Sequence, residues 1–119
     1  MAKFDLTALT SIDGFVAASL VDSDSGLMLG GVGGGNVNLD VASAGNSEVI
    51  KSKRRVAGAL KLNDEIEDIL ITLGKQYHLL RPLERNEKLF LYVVLDRAKS
   101  NLAMSRHELK SFEKNLEFA

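Results

Sequence analysis

The chain has no cysteine and no tryptophan, one proline, and only 6% aromatic residues. Without cysteine there is no disulfide, no thiolate metal site and no thiol nucleophile. Two histidines leave a structural zinc site short of its usual ligands. No run of about 18 apolar residues exists, so no transmembrane helix is expected. The start, Met1-Ala2-Lys3-Phe4-Asp5, lacks the apolar core of a signal peptide, and the expected compartment is the cytoplasm. Nor is there an excess of one charge. Fifteen basic residues stand against 16 acidic ones, a net charge of −1, so no basic field draws the chain onto nucleic acid.

What remains is 119 residues, 45% hydrophobic and 26% charged, which reads as one soluble globular domain over 1–119. A chain of this size buries about two-thirds of its unfolded surface, enough for a core without staples.

The hydrophobic pattern gives the element order. Leu6, Leu9 and Ile12 fall three apart, predicting a short helix over 3–12 that Gly14 ends. Strands over 15–22 and 27–32 flank Asp22-Ser23-Asp24-Ser25-Gly26, a turn sequence, and so form a hairpin. A long helix is predicted over 39–61, with Asn38 as cap, Asp40 in the first turn, and Ala42, Gly45, Val49, Val56 and Leu60 as its apolar or small stripe. Strands follow over 65–73, 77–83 and 88–95. In the first, Ile69, Ile71 and Leu73 share a face; the second carries Pro82 at its end or at an edge. The third is apolar on both faces, as a covered central strand is. A last helix over 98–117 places Leu102, Leu109, Phe112 and Leu116 on one stripe. Short connections demand hairpins, so the fold class is α+β with one mostly antiparallel sheet.

Several residue groups are candidates for chemistry. Gly30, Gly31, Gly33, Gly34 and Gly35 supply half of the ten glycines in six positions, between a strand and a helix where phosphate-binding turns sit. No Lys-Ser or Lys-Thr follows, and the third glycine of the dinucleotide fingerprint is missing. The run reads as a linker, and no cofactor is expected. His78 and His107 lie in different elements; either becomes a base only if the fold brings an acid or nucleophile to it. Glu65 and Glu67 share a strand face and can be read as a cation site or, preferably, as a charged edge that deters strand pairing. Lys51, Arg54 and Arg55 share a helix face that suits phosphate, an acidic partner or plain solvent. With Lys53 they form a basic cluster, and Asp64, Glu65, Glu67 and Asp68 form a complementary acidic one. Ser11, Ser43, Ser47 and Ser105 have no histidine–acid pair in sight. No catalytic or metal residue is assigned; the residues alone describe a small binding or scaffold domain.

Three phrases, taken in order, carry a resemblance. The first runs Ile12-Asp13-Gly14-Phe15-Val16-Ala17-Ala18-Ser19-Leu20-Val21-Asp22, then Gly26-Leu27. The second is Leu80-Arg81-Pro82-Leu83, then Leu89-Phe90-Leu91-Tyr92-Val93-Val94-Leu95-Asp96. The third is Asn101-Leu102-Ala103-Met104-Ser105-Arg106, then Leu109. Together they span essentially the whole chain and resemble the roadblock / dynein-light-chain superfamily, in the style of its prokaryotic GTPase regulators. The resemblance implies a five-stranded, mostly antiparallel, profilin-like sheet with one long helix on one face and two helices on the other. It implies a structural role for Gly14, Gly26, Asn101 and Arg106. It also implies a non-enzymatic homodimer built through the long helix and the third strand, with Val49, Lys53, Val56, Leu60, Glu67, Ile69 and Ile71 at the interface. The implied partner is a small Ras-like GTPase whose nucleotide state or localisation the dimer modulates. The glycine run and Gly45 depart from the family pattern, and the start of the long helix is expected to be frayed or displaced. An alternative is a small-molecule sensor with a ligand between its layers and the glycine run as lid.

Overall fold

The computed structural model describes residues 4–116. Its strands are β1 (Phe15–Asp22), β2 (Met28–Gly33), β3 (Ile69–Thr72), β4 (Gln76–Pro82) and β5 (Leu89–Asp96). Its α-helices are α1 (Leu39–Ala59) and α2 (Leu102–Asn115), with 3-10 helices at Thr7–Ser11 and Arg97–Lys99. The strands form one sheet in the order β2-β1-β5-β4-β3, and every neighbouring pair is antiparallel.

β5 is central because it is apolar on both faces. Leu89, Leu91, Val93 and Leu95 enter one core, with Leu6, Leu9, Ile12, Leu79, Leu109 and Leu116. Phe90, Tyr92 and Val94 enter the other, with Ala17, Val21, Ile50 and Leu80. The two-residue alternation of a strand makes this division. The first core lies under α2 and Thr7–Ser11; the second lies under α1. The expected layers, one long helix against two helical elements, are therefore present.

The hairpin is as expected. The Gly26 N–H donates to the Asp22 carbonyl at 2.8 Å, and the Asp24 N–H donates to Asp22 Oδ1 at 3.0 Å. Gly26 sits at φ +76°, where a side chain is strained. Asn38 Oδ1 accepts from the Val41 N–H and caps α1, and Asp40 stands in its first turn. Pro82 ends β4, beyond the last residue that β3 pairs, Leu80.

Several expectations about element type and bounds are corrected, and β4, β5 and the end of α1 differ from the expected ranges by one or two residues. The first helix is a 3-10 helix over Thr7–Ser11, the geometry that a strict three-residue spacing of Leu6, Leu9 and Ile12 favours; the start at Lys3 lies outside the described residues. β3 spans Ile69–Thr72 rather than 65–73, and residues 62–68 form no strand. Glu65 and Glu67 therefore do not share a strand face. The last helix splits: Asp96 Oδ1 caps Arg97–Lys99 through the Ala98 N–H, and Asn101 Oδ1 caps α2 through the Met104 N–H. Ser100 between them is extended, and the predicted end at Glu117 lies outside the described residues. Finally, α1 runs unbroken through Gly45 from its cap, so its start is neither frayed nor displaced. Three of the clustered glycines, Gly30, Gly31 and Gly33, belong to β2, which is one residue displaced from the expected 27–32.

Candidate functional site

α1 presents two unlike sides. Its inner face carries buried Ser43, Ser47 and Ile50. Ser43 Oγ lies 2.9 Å from Ser19 Oγ of β1, and Ser47 Oγ donates to the Ser43 carbonyl. Small side chains let the helix settle closely on β1 and β2. One flank is pinned to the β1–β2 turn: Ala44 packs beside Gly26, and Lys51 Nζ donates to the Asp24 carbonyl at 3.0 Å. Arg54 donates to the Glu87 carbonyl in the β4–β5 turn. Lys51 and Arg54 thus hold turns in place, and their predicted common face is not a free basic patch.

The opposite flank has no such partners. Asn46, half-buried and near enough to Tyr92 of β5 to oppose the rise of its pKa, marks the side of α1 turned toward the β5–β4–β3 half of the sheet. Val49, Lys53, Val56 and Leu60 follow at spacings of four, three and four, all within about 80° of Asn46 at 100° per residue. All four are exposed, with Val56 45% and Leu60 62% accessible. They are not core positions of this chain.

Across from this flank lies β3, an edge strand of four residues. It pairs with β4 from Ile69↔Leu80 to Thr72↔Tyr77, and no described strand pairs its outer edge. Ile69 and Ile71 are half-buried and lean on the core beneath α1. Glu67 is exposed. The seven residues expected at an interface therefore lie on the exposed flank of α1 and along β3 with its lead-in.

A half-buried polar group lies on the same side of the sheet. His78 Nδ1 is 3.1 Å from Tyr92 Oη, and His78 Nε2 is 2.9 Å from Gln76 Oε1. Burial lowers the His78 pKa from its ordinary value. Burial raises that of Tyr92, against a smaller opposing effect from Asn46. These partners are a phenol, held further into its neutral form by burial, and a neutral amide; neither is a carboxylate. His107 is exposed on α2, in another layer. Among the described residues, no group of three or more His, Asp or Glu could hold a metal ion.

Gly14 and Arg106 make contacts within the chain. Gly14, at φ +80°, turns the chain into β1, and its carbonyl accepts from the Asp96 N–H at 2.7 Å. Arg106 donates from Nε and Nη2 to both Asp68 oxygens, at 2.9 and 3.2 Å. Asp68 therefore serves a contact within the chain, which removes it from the acidic patch offered to a partner.

Sequence reasoning missed the buried pair Arg81–Glu113. Glu113 Oε1 lies 3.3 Å from Arg81 Nε, and Oε2 accepts from the Glu84 N–H at 2.7 Å. The one signal in the sequence is charge at two positions where strand and helix parity points inward.

Two clefts open elsewhere. One of about 560 Å³ lies between Thr7–Ser11 and α2, over Leu9, Ile12 and Phe112, with Asp5 and Glu108 at its rim. A wider one, of about 1280 Å³, lies between the end of α1, residues 63–67 and the β4–β5 turn. The glycine run lines neither. No helix among the described residues is long and apolar enough to cross a membrane.

No family model and no curated protein matches the sequence. Solved structures match the fold. The roadblock/LC7 domain from Streptomyces avermitilis superposes with a TM-score of 0.80 at 16% identity, covering 92% of this chain and 88% of that one. MglB of Myxococcus xanthus gives 0.70 at 15% identity, covering 91% and 84%. The gliding protein MglB of Thermus thermophilus gives 0.70 at 13%, covering 92% and 86%. The chain has the roadblock fold.

Proposed function

We propose that the chain is a non-enzymatic regulator or scaffold that acts as a homodimer and binds a small Ras-like GTPase, modulating its nucleotide state or its localisation in the cytoplasm. Two observations carry this reading together: the exposed stripe Val49, Val56 and Leu60 of α1, and β3 at the sheet edge with no described strand on its outer side. An edge strand with unpaired N–H and C=O groups is a template for pairing. The apolar flank of α1 supplies burial that the hydrogen bonds alone do not. A second copy satisfies both at once, because a two-fold interface uses the same patch twice. A stable dimer of this kind buries at least about 1,000 Å² in total. The paired α1 helices then offer one continuous surface to the GTPase. The likeness to the MglB structures supports this choice of partner.

The test is an affinity capture from the source cell's extract, with excess GDP in one arm and a non-hydrolysable GTP analogue in the other. Recovery of a Ras-like GTPase mainly with the analogue supports regulation, since only differential affinity shifts a switch. Recovery in both arms supports a scaffold. Recovery in neither contradicts the partner.

A second reading, a small-molecule sensor, rests on the cleft between Thr7–Ser11 and α2, whose 560 Å³ falls within the range of ligand pockets. It places the ligand between helical elements, not under a glycine lid. Native mass spectrometry of the purified protein tests it: a retained small molecule supports the sensor, and the bare chain mass opposes it.

A further inference from the structure

We propose that Lys53 of one copy pairs with Glu67 of a second copy, and that this reciprocal pair sets the register in which two copies meet. The inference rests on the homodimer reading above and deepens it.

Lys53 stands among apolar neighbours, between Val49 on one side and Val56 and Leu60 on the other, and it is exposed. It has no ion-pair or hydrogen-bond partner among the described residues. Lys51 and Arg54 are engaged within the chain, with the Asp24 and Glu87 carbonyls, and Arg55, exposed like Lys53, lies off the apolar stripe at 100° per residue. Burying the α1 stripe against another copy carries Lys53 into the contact. A desolvated ammonium without a counter-charge opposes association strongly.

Symmetry narrows the counter-charge. In a two-fold contact both partners of every pair come from the same patch. Lys53 against its own equivalent places like charges together, so the patch must contain an acid. Asp68 is taken by Arg106 of α2 and therefore points to the α2 side of the sheet. Glu67 precedes it in the chain, and Ile69 follows it and leans on the core beneath α1. Glu67 stands in the non-strand segment 62–68, beside Asp68 and two residues before β3. Glu67 is exposed and, like Lys53, has no partner among the described residues. With Asp68 engaged, it is the exposed carboxylate next in the chain to β3. The pair's contribution is chiefly to specificity, because complementary charge fixes register and suppresses wrong pairings.

The test is a charge exchange on the full chain. Four proteins are weighed by light scattering and by native mass spectrometry: wild type, Lys53→Glu, Glu67→Lys, and the double variant Lys53→Glu/Glu67→Lys. Circular dichroism confirms that each is folded, as exposed substitutions should be. Wild type should be a dimer. Each single reversal should raise the dissociation constant about tenfold or more, since it opposes like charges twice per dimer. An equimolar mixture of the two single variants should form the mixed dimer, in which both pairs are again attractive. The double variant should recover self-association. Wild-type dimers indifferent to either reversal would overturn the pairing and leave the dimer standing. Weakening that neither the mixture nor the double variant repairs would overturn it too. A monomeric wild type would remove the dimer reading itself, and the pairing with it.

Discussion

Arg106 on α2 grips Asp68, the residue before β3, through two hydrogen bonds of 2.9 and 3.2 Å. Residues 62–68 have no strand partner, yet β3 must start in register at Ile69↔Leu80. This two-point contact ties the segment to the opposite layer and fixes where the edge strand begins. Arg106→Ala should therefore loosen β3 selectively. The pair is partly exposed, with Arg106 41% and Asp68 14% accessible, so solvent screening limits the loss to about 1 kcal/mol. Hydrogen exchange should speed up at residues 69–72 and stay slow in β5. Equal protection in both proteins would mean that the pair does not position the strand.

Glu113 and Arg81 form a buried pair, 5% and 4% accessible, and Glu113 also holds the Glu84 N–H. Glu113→Ala leaves the buried Arg81 Nε and the Glu84 N–H without their acceptor, and only the exposed Glu84 carboxylate, 3.7 Å from Arg81 Nη2, still faces the guanidinium. Breaking a buried pair from one side costs about 3–5 kcal/mol, to be read as a shift of the urea midpoint. Replacing both partners, Arg81→Met with Glu113→Leu, should cost much less. A single variant as stable as the wild type would contradict this reading.

Gly14→Ala should destabilise the junction of β1 with β5. A non-glycine residue at φ +80° carries a left-handed penalty of roughly 1–2 kcal/mol. The added Cβ would also collide with Ser100 Oγ and come within 3.0 Å of the Asp96 carbonyl oxygen. Ser100→Gly in the same chain should recover part of the loss, because it removes the colliding hydroxyl. Thermal unfolding of the single and double variants decides between a steric origin and none.

His78 gives the stability a pH dependence. Burial lowers its pKa below the ordinary 6.5, so the unfolded chain binds a proton more readily than the native one. Stability should fall as the pH drops from just above 6.5 toward the lower native value, and rise again on return. Urea midpoints at about pH 7.5 and pH 5.5 should differ less in His78→Gln than in wild type. An unchanged difference would assign the pH dependence to other groups.

Local signals in the sequence carry most of the fold. Asn38 and Asn101 announce their helices because a cap needs only its own next turn. The Asp22–Gly26 turn is equally local, and β5 is legible because both parities are apolar. What escapes depends on distant partners. Nothing near Glu65 tells that residues 62–68 leave the sheet; only Arg106, far along the chain, shows where the strand begins. Asp96 and Asn101 both cap, and two caps five residues apart split a helix that periodicity alone runs together. The face of α1 is half legible. The spacing of Val49, Val56 and Leu60 marks a stripe, but periodicity cannot tell a stripe that meets its own sheet from one left exposed. Ser43 and Ser47, the true contacts with β1, are invisible to a hydrophobic pattern because they are polar.

The solution mass of the full chain tests the central claim most directly. Light scattering of the wild type at micromolar concentration should give twice the 13.0 kDa of one chain. Val56→Asp, which places a charge in the exposed stripe of α1 without touching the core, should give the single-chain mass while retaining its circular dichroism. A wild type that weighs 13.0 kDa at that concentration would contradict the account.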